Sequence, residues 1–230
     1  MITQSLASIT LKNFKTLLSK CSSLPPSSLC AFAAAAPLTP SAVKTAVSPD
    51  GYTYIVETEP YVEDTFTRSD GLNVTVLVHP AFKRSIDMDA AGQSVNTGAL
   101  AKRLEWNDGA QYADSCLASS YIKKTSGASP LVSDCASIRD YYAQHHGRFV
   151  ASWGDRFFNR GYCRLVITNT CVFGVKSVST YNVNVGSRDI SDLTRDSINK
   201  FQGNKRVGAE GHMICNGFQP TSVDWAIFTN

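Results

Sequence analysis

The chain has 230 residues, enough for one ordinary domain with additional sequence or for two small ones. Its formal net charge of +3 conceals three regimes. Residues 1–49 carry four lysines and no acid, residues 50–115 carry 11 Asp+Glu against 5 Lys+Arg, and residues 116–230 carry 13 Lys+Arg against 8 Asp+Glu. The basic residues of the last block are scattered, whereas a nucleic-acid footprint needs a concentrated stripe, so no nucleic-acid partner is expected. No apolar run reaches the ~18 residues of a membrane-spanning helix, so no transmembrane segment is expected.

The first segment reads as an export signal. Lys12, Lys15 and Lys20 precede the apolar run Leu29–Ala36, and Ala33, Ala34 and Ala35 offer small residues for cleavage, so residues 1–36 are expected to be a secretory signal. A mitochondrial transit peptide is the rival, because Leu6, Ile9, Phe14 and Leu17 can share a helical face. The segment has no arginine, however, and transit peptides are Arg-rich. Residues 37–115 form an acidic N-terminal segment that could serve as a pro-region. "YTYIVETE" and "LNVTVLVH" alternate apolar and polar residues on either side of Ser69-Asp70-Gly71, which predicts a hairpin. Asn73-Val74-Thr75 is a glycosylation sequon, meaningful if the chain is exported, and Asn73 is the expected acceptor. Arg84 and Arg103 each end a dibasic pair. Solvated surface charge explains both, while cleavage after Arg103 would release Leu104–Asn230.

From Cys116 to Asn230 the pattern is regular. Ser129 is a candidate N-cap with Pro130 at the first helical position, and Gly147 is available to end the helix. Leu131, Cys135, Ile138 and Tyr142 then share one face. A second helix is predicted with Ser187 as cap, Asp189 and Asp192 near its positive end, Lys200 in its last turn and Gly203 beyond it. Its apolar stripe is Ile190, Leu193, Ser197 and Phe201. Segments 148–153 and 162–168, with "CVFGV", "HMIC" and "VDWAIF", read as strands of period two. The expectation is an α+β fold, a mostly antiparallel β-sheet with two α-helices packed on one face.

Seven cysteines show none of the short spacings of zinc sites or redox dithiols. Cys135, Cys171 and Cys215 each share a face with apolar residues, which favours staples between distant segments. That reading needs an oxidising compartment, in agreement with the export signal. Cys116, Cys135, Cys171 and Cys215 allow three pairings, and spacing does not choose among them. Cys116–Cys215 with Cys135–Cys171 is preferred, which leaves Cys163 as the odd residue.

Chemistry is not signposted. The sequence lacks a Gly-x-Ser-x-Gly elbow, a His-Glu-x-x-His pair, a P-loop and a Gly-x-Gly-x-x-Gly turn. His145 and His146 fall at a helix end, and His212 alternates away from Met213 toward solvent. Asp134, Asp140, Asp189, Asp192, Asp196, Glu210 and Asp224 are explained by capping and solvation better than as a glycosidase pair. An inward Cys135 lacks the exposed, electropositive setting a nucleophile requires. No catalytic, cofactor-binding or metal-ligating residue is assigned, and the chain is not expected to be an enzyme.

"TSGASPLVSDC", "TCVFGV", "NVGSRDISDLTRDSINKF", "VGAEGHMIC" and "VDWAIF", in that order across residues 116–230, resemble the necrosis-inducing factor domain of secreted fungal effectors, homologues of the extracellular protein two effector. The resemblance implies disulfides among Cys116, Cys135, Cys171 and Cys215, with Cys163 outside the family pattern. It implies secretion to the extracellular space, a role in virulence or host cell death, and no established catalytic site or cofactor. The partner is then an unidentified host or microbial protein or cell-surface component. Because some members of that family are fused to chitinase modules and compared with killer toxins, two alternatives stand beside the effector reading. One is a killer-toxin-like antimicrobial protein, the other a cell-wall polysaccharide hydrolase.

Overall fold

Apolar and alternating runs generate the strands, and two stretches with an inward-facing stripe generate the helices. The computed structural model describes residues 44–56, 60–82, 104–151, 161–177, 183–217 and 219–230. The secretory signal expected over residues 1–36 and the dibasic residues Arg84 and Arg103 lie outside them. The strands are β1 (Thr45–Val47), β2 (Thr53–Ile55), β3 (Val62–Thr67), β4 (Asn73–Val78), β5 (Glu105–Asp108), β6 (Ile122–Lys123), β7 (Gly147–Ala151), β8 (Cys163–Thr168), β9 (Cys171–Ser177), β10 (Val183–Gly186), β11 (Ala209–Cys215) and β12 (Thr221–Thr229). The helices are α1 (Val132–Gln144) and α2 (Ser187–Phe201).

Seven strands form the main sheet in the order β3-β4-β8-β9-β12-β11-β6, every neighbouring pair antiparallel. A three-stranded sheet, β10-β7-β5, and the two-stranded hairpin β1-β2 complete the architecture. The protein is thus α+β, mostly antiparallel and disulfide-stabilised. Helix α1 rests on β4, β8 and β9, and α2 packs mainly along α1, with further contacts to β7 and β10.

The inner face of the main sheet, the one beneath α1, holds the larger core. Val76 and Val78 of β4, Cys171, Phe173 and Val175 of β9 and Val223, Trp225 and Ile227 of β12 all point into it, together with Cys135, Ile138, Tyr141 and Tyr142 of α1. Trp225 is fully buried, parallel to Phe173 at 6.3 Å and edge-on to Tyr121 at 5.3 Å. Burial of a side chain of this size contributes roughly 2–3 kcal/mol, and its ring contacts add about 1 kcal/mol. A register shift between Arg164 and Val166 turns both Leu165 and Val166 into this core, leaving Arg164 on the opposite face. A bulge re-aims side chains in this way.

The outer face has a smaller apolar cluster of Ile167, Val172, Ala226 and Phe228, packed beneath Tyr52, Tyr54, Tyr61, Leu77 and Tyr162. Most of these covering residues come from the acidic N-terminal segment. Strands β3 and β4 of the same segment extend the main sheet through Leu77↔Ile167 and Val78↔Val166. Phe66 of β3 packs edge-on against Tyr141 at 5.3 Å, and the Tyr141 hydroxyl donates to Asp64 Oδ2 at 2.7 Å. Residues Ala42–Asn230 accordingly form one compact unit.

Several local expectations change. The turn at Ser69-Asp70-Gly71 does join a hairpin, but the strand before it is Val62–Thr67, and "YTYIV" pairs instead with Thr45–Val47. Polar Glu63, Asp64 and Thr65 hid this strand, because its outer positions face water. Ser129 does not cap α1. It is fully buried, its hydroxyl accepting the Ser126 N–H at 2.9 Å and donating to Lys124 O at 3.2 Å, and the helix starts two residues after Pro130. The helix end is fastened instead by Asp134, whose Oδ2 accepts the N–H and hydroxyl of Thr170. Ser187 is the first residue of α2 rather than its cap. Its hydroxyl accepts the Gly147 N–H, while Asp189 Oδ2 accepts the Gly186 N–H at 2.9 Å. Gly147 begins β7, where a Cβ would collide with the Trp106 ring, so the glycine serves close approach rather than helix termination.

Candidate recognition surface

One disulfide ties a helix to the main sheet and the other ties a neighbouring segment to a strand of that sheet. Cys135, on the second turn of α1, is bonded to Cys171 at the start of β9, with Cα atoms 5.3 Å apart. Cys116 is bonded to Cys215 at the end of β11, and the two residues form an antiparallel bridge. Cys163 takes no part in either bond and is buried at the start of β8. A buried thiol among Val175 and its neighbours lacks the exposure a nucleophile needs.

Beside the Cys116–Cys215 bridge, Asp189 accepts N–H groups of Ser115 and Gly186, each at 2.9 Å. Burial pushes its carboxyl up to about 6, against the pull of those donors. This carboxylate fixes the start of α2 and the chain entering Cys116, which is a structural task. Asp134 is spent on Thr170, and Asp140 on Arg139. Asp192 and Asp196 form exposed ion pairs with Arg195. His145 stacks on Tyr141 at 4.1 Å, its Nδ1 2.9 Å from the Tyr141 carbonyl oxygen.

The remaining polar residues gather on the outer face, where it is not covered by the β1-β2 hairpin. Along β11 the outward residues are Glu210, His212 and Ile214, and along β12 they are Ser222 and Asp224. Register places His212 opposite Asp224, and Asp224 opposite Lys176 of β9. His212 Nδ1 lies 3.0 Å from Asp224 Oδ1, and Lys124 reaches Glu210 at 2.8 Å. Three exposed aliphatic residues rim this row: Leu117 and Ile122 at 65% and 52% exposure, and Ile214 at 41%. The tyrosines Tyr52 and Tyr162 close the other side. The Tyr52 hydroxyl is buried near Glu210 but outside hydrogen-bonding geometry, and burial together with that carboxylate holds it protonated.

An imidazole paired with a carboxylate invites comparison with a serine triad. The nearby hydroxyls are committed elsewhere. Ser120 Oγ accepts the His212 N–H at 2.9 Å, and Ser119 Oγ accepts from Trp225 Nε1 at 2.7 Å. Both therefore serve the strand backbone and the core tryptophan. Among the described residues no group of three or more His, Cys, Asp or Glu side chains is arranged to hold a metal ion. No described helix is long and apolar enough to cross a membrane. Leu117, Ile122 and Ile214 thus leave exposed aliphatic surface around a row of mixed charge.

Fold and surface together define a disulfide-stapled α+β protein with a mixed apolar and charged face on its main sheet. Residues 115–215 match the model of a family described as "pathogen effector; putative necrosis-inducing factor", the family that the motifs resemble. The Cys116–Cys215 bond joins the two ends of the matched stretch. Two proteins of Penicillium expansum are similar over about half of the chain. One, named "Probable chitinase LysM18", is 31% identical over 119 residues, covering 49% of this chain and 8% of that protein. The other, named "Secreted chitinase LysM12", is 29% identical over 115 residues, covering 48% and 7% respectively. The chain thus spans less than a tenth of either relative's length.

Neither bridge partner nor family motif identified His212, Asp224 or Glu210 as neighbours. Period-two reading correctly sends His212 outward, but only the register of β11 on β12 brings the imidazole to Asp224.

Proposed function

We propose that the protein is a secreted, extracellular fungal effector, a necrosis-inducing virulence factor that acts by binding a host plant component. The match of residues 115–215 to the effector family carries this reading. Two disulfides support an oxidising, extracellular setting, as does the naming of one relative as secreted. The recognition surface is the row Glu210, His212, Asp224 and Lys176 with its rim of Leu117, Ile122 and Ile214. Secretion would follow removal of residues 1–36, and Asn73, exposed at the start of β4, would then be available for glycosylation. Intact mass of the secreted protein, reduced and unreduced, tests the mature start, the glycan and the two bridges in one measurement.

Purified protein applied to leaf tissue is expected to cause cell death or a defence response. Replacing Ile122 and Ile214 together by Asp should weaken that response at least tenfold without unfolding the protein. Death of competing yeasts with no leaf response would overturn the ranking and favour the killer-toxin-like alternative.

A polysaccharide hydrolase is favoured by one observation, the chitinase names of the relatives. Against it, the shared stretch is less than a tenth of those proteins, and Glu210 and Asp224 are each engaged by a cationic or imidazole partner. Release of reducing sugar from chitin or glucan, abolished by Asp224→Asn, would establish the hydrolase instead.

A further inference from the structure

Strand β4 leaves β8 early. After Leu77↔Ile167 and Val78↔Val166, its last tie is the bond from the His79 N–H to Leu165 O at 3.0 Å. The backbone at the start of β8 is therefore available to another strand on that side. Residues Thr53–Ile55 take it. The Tyr162 N–H donates to Thr53 O at 2.9 Å, and the Ile55 N–H donates to Tyr162 O at 3.0 Å, forming a parallel bridge. The approach is close enough that a Cβ on Gly161 would stand 3.0 Å from Thr53 O. Alternate side chains then find separate pockets. Tyr52 and Tyr54 stack on Phe228 at 5.2 and 6.2 Å, Arg164 lies 4.3 Å over the Tyr54 ring, and Ile55 is buried in the inner core.

This is the geometry of strand addition, with main-chain bonds supplying attachment and alternate pockets supplying selectivity. Its occupant belongs to a segment outside the matched residues 115–215, and neither disulfide ties it down. We propose that the edge of β8 at Gly161–Arg164, with the Phe228 patch beside it, is a docking site for an extended partner segment bearing aromatic side chains at alternate positions. Thr53–Ile55 occupies that site in cis. This site is separate from the row of Glu210, His212, Asp224 and Lys176, and the proposal goes beyond the binding role argued above. Tethering gives the cis strand a high effective concentration, so a partner gains access as the β1-β2 hairpin opens locally.

A fluorescent peptide of residues 48–56 is the probe, titrated against the full chain and against its Tyr52→Ala/Tyr54→Ala variant, whose own hairpin is weakened. The variant should bind the peptide at least tenfold more tightly than the parent, since cis occupancy lowers apparent affinity by the competent fraction. Adding Gly161→Val should abolish binding. Should the double variant fail to fold, Ile55→Pro takes its place, deleting the N–H that reaches Tyr162. Hydrogen exchange on the parent is the companion measurement, with the Ile55 amide expected to exchange faster than the central amides of β12. Absence of peptide binding to a folded variant, binding indifferent to Gly161→Val, or equal protection of Ile55 and β12 would each overturn the proposal. These readouts use purified protein alone, so a silent leaf assay would bear on the effector role and not on the docking site.

Discussion

Removing the Cys135–Cys171 bond by the double substitution Cys135→Ala/Cys171→Ala isolates the contribution of one staple. The bonded residues are 36 apart in sequence. Closing a loop of that size lowers the entropy of the unfolded chain by an amount worth about 3.8 kcal/mol at 25 °C. Both cysteines are fully buried, and deleting two sulfurs from the core adds ~1–2 kcal/mol of lost packing. The expected loss is therefore about 5 kcal/mol, comparable to the whole stability of a marginal domain. The native arrangement should survive, because the same junction keeps the Thr168 hydroxyl bonded to Asp134 O, the Thr170 groups bonded to Asp134 Oδ2, and the Leu131 N–H bonded to Thr170 Oγ1. Urea unfolding of the oxidised protein, followed by tryptophan fluorescence, should show a lower midpoint and a steeper slope, since the freed denatured chain exposes more surface. Removing Cys116–Cys215, which closes a separation of 99 residues, should cost more, with a chain-entropy share of about 4.7 kcal/mol. A loss below ~1.5 kcal/mol for the first pair, or a reversed order of the two, would refute the loop-closure reasoning.

Asp189 predicts a pH dependence. Its folded value of about 6 exceeds the ~3.9 of an unfolded aspartate, so the native state binds the extra proton between those values. The stabilisation is complete below pH ~4 and is lost as pH rises through about 6, a change of roughly 2–3 kcal/mol; Asp189→Asn should flatten that part of the stability profile, and stability rising with pH across the window would contradict it. Gly211→Ala would drive a Cβ into Ser120 O and the Trp225 ring. It should lower stability by more than ~2 kcal/mol in thermal unfolding, and a neutral result would show that β11 and the Ser120 segment can part without cost. Cleavage after Arg103 would leave both disulfides in the C-terminal piece. The two pieces should nevertheless co-elute in native gel filtration and separate in guanidinium without reductant, and loss of the N-terminal piece under native conditions would count against the shared core.

Periodicity made the later half of the fold legible, whereas the capping signals at Ser129, Ser187 and Gly147 did not mark the helix ends. Period two puts Cys171, Phe173 and Val175, then Val223, Trp225 and Ile227, on one face, and they line the inner core, while Val172, Ala226 and Phe228 of the same strands are buried in the outer cluster. The inward placement of Cys135 followed from the stripe it shares with Ile138 and Tyr142. Long-range pairing was not legible in the same way. Nothing local in "VEDTFT" announces a strand, because Phe66 is its only large buried side chain and the rest faces water or pairs with neighbours. The start of α1 was misplaced for a related reason: Ser129 has the right chemistry for a cap, and a competing turn with Lys124 and Ser126 took its hydroxyl. At the candidate surface, His212 was legible as outward, yet its proximity to Asp224 and Glu210 depends on strand register, which pattern alone does not specify.

The matched stretch and the folding unit are not the same object. Residues 115–215 include β8, β9 and β11, but β12, at Thr221–Thr229, lies between β9 and β11 and bonds to both. Without β12, β9 and β11 would lose their common neighbour, and Trp225 would leave a void against Phe173 and Tyr121. On the other side, β3 and β4 add Phe66, Val76 and Val78 to the same inner core. The acidic segment is therefore bound by apolar packing and by strand pairing. If the segment acts as a pro-region, its release must expose the cluster around Phe228 and open the core beneath Tyr141, so cleavage alone would be insufficient. Opening of the β1-β2 hairpin alone uncovers the part of the outer cluster beneath Tyr52 and Tyr54 and withdraws Ile55 from the inner core, while leaving Phe66, Val76 and Val78 in place. That difference in cost makes the hairpin, rather than the whole segment, the element positioned to control access to the β8 edge.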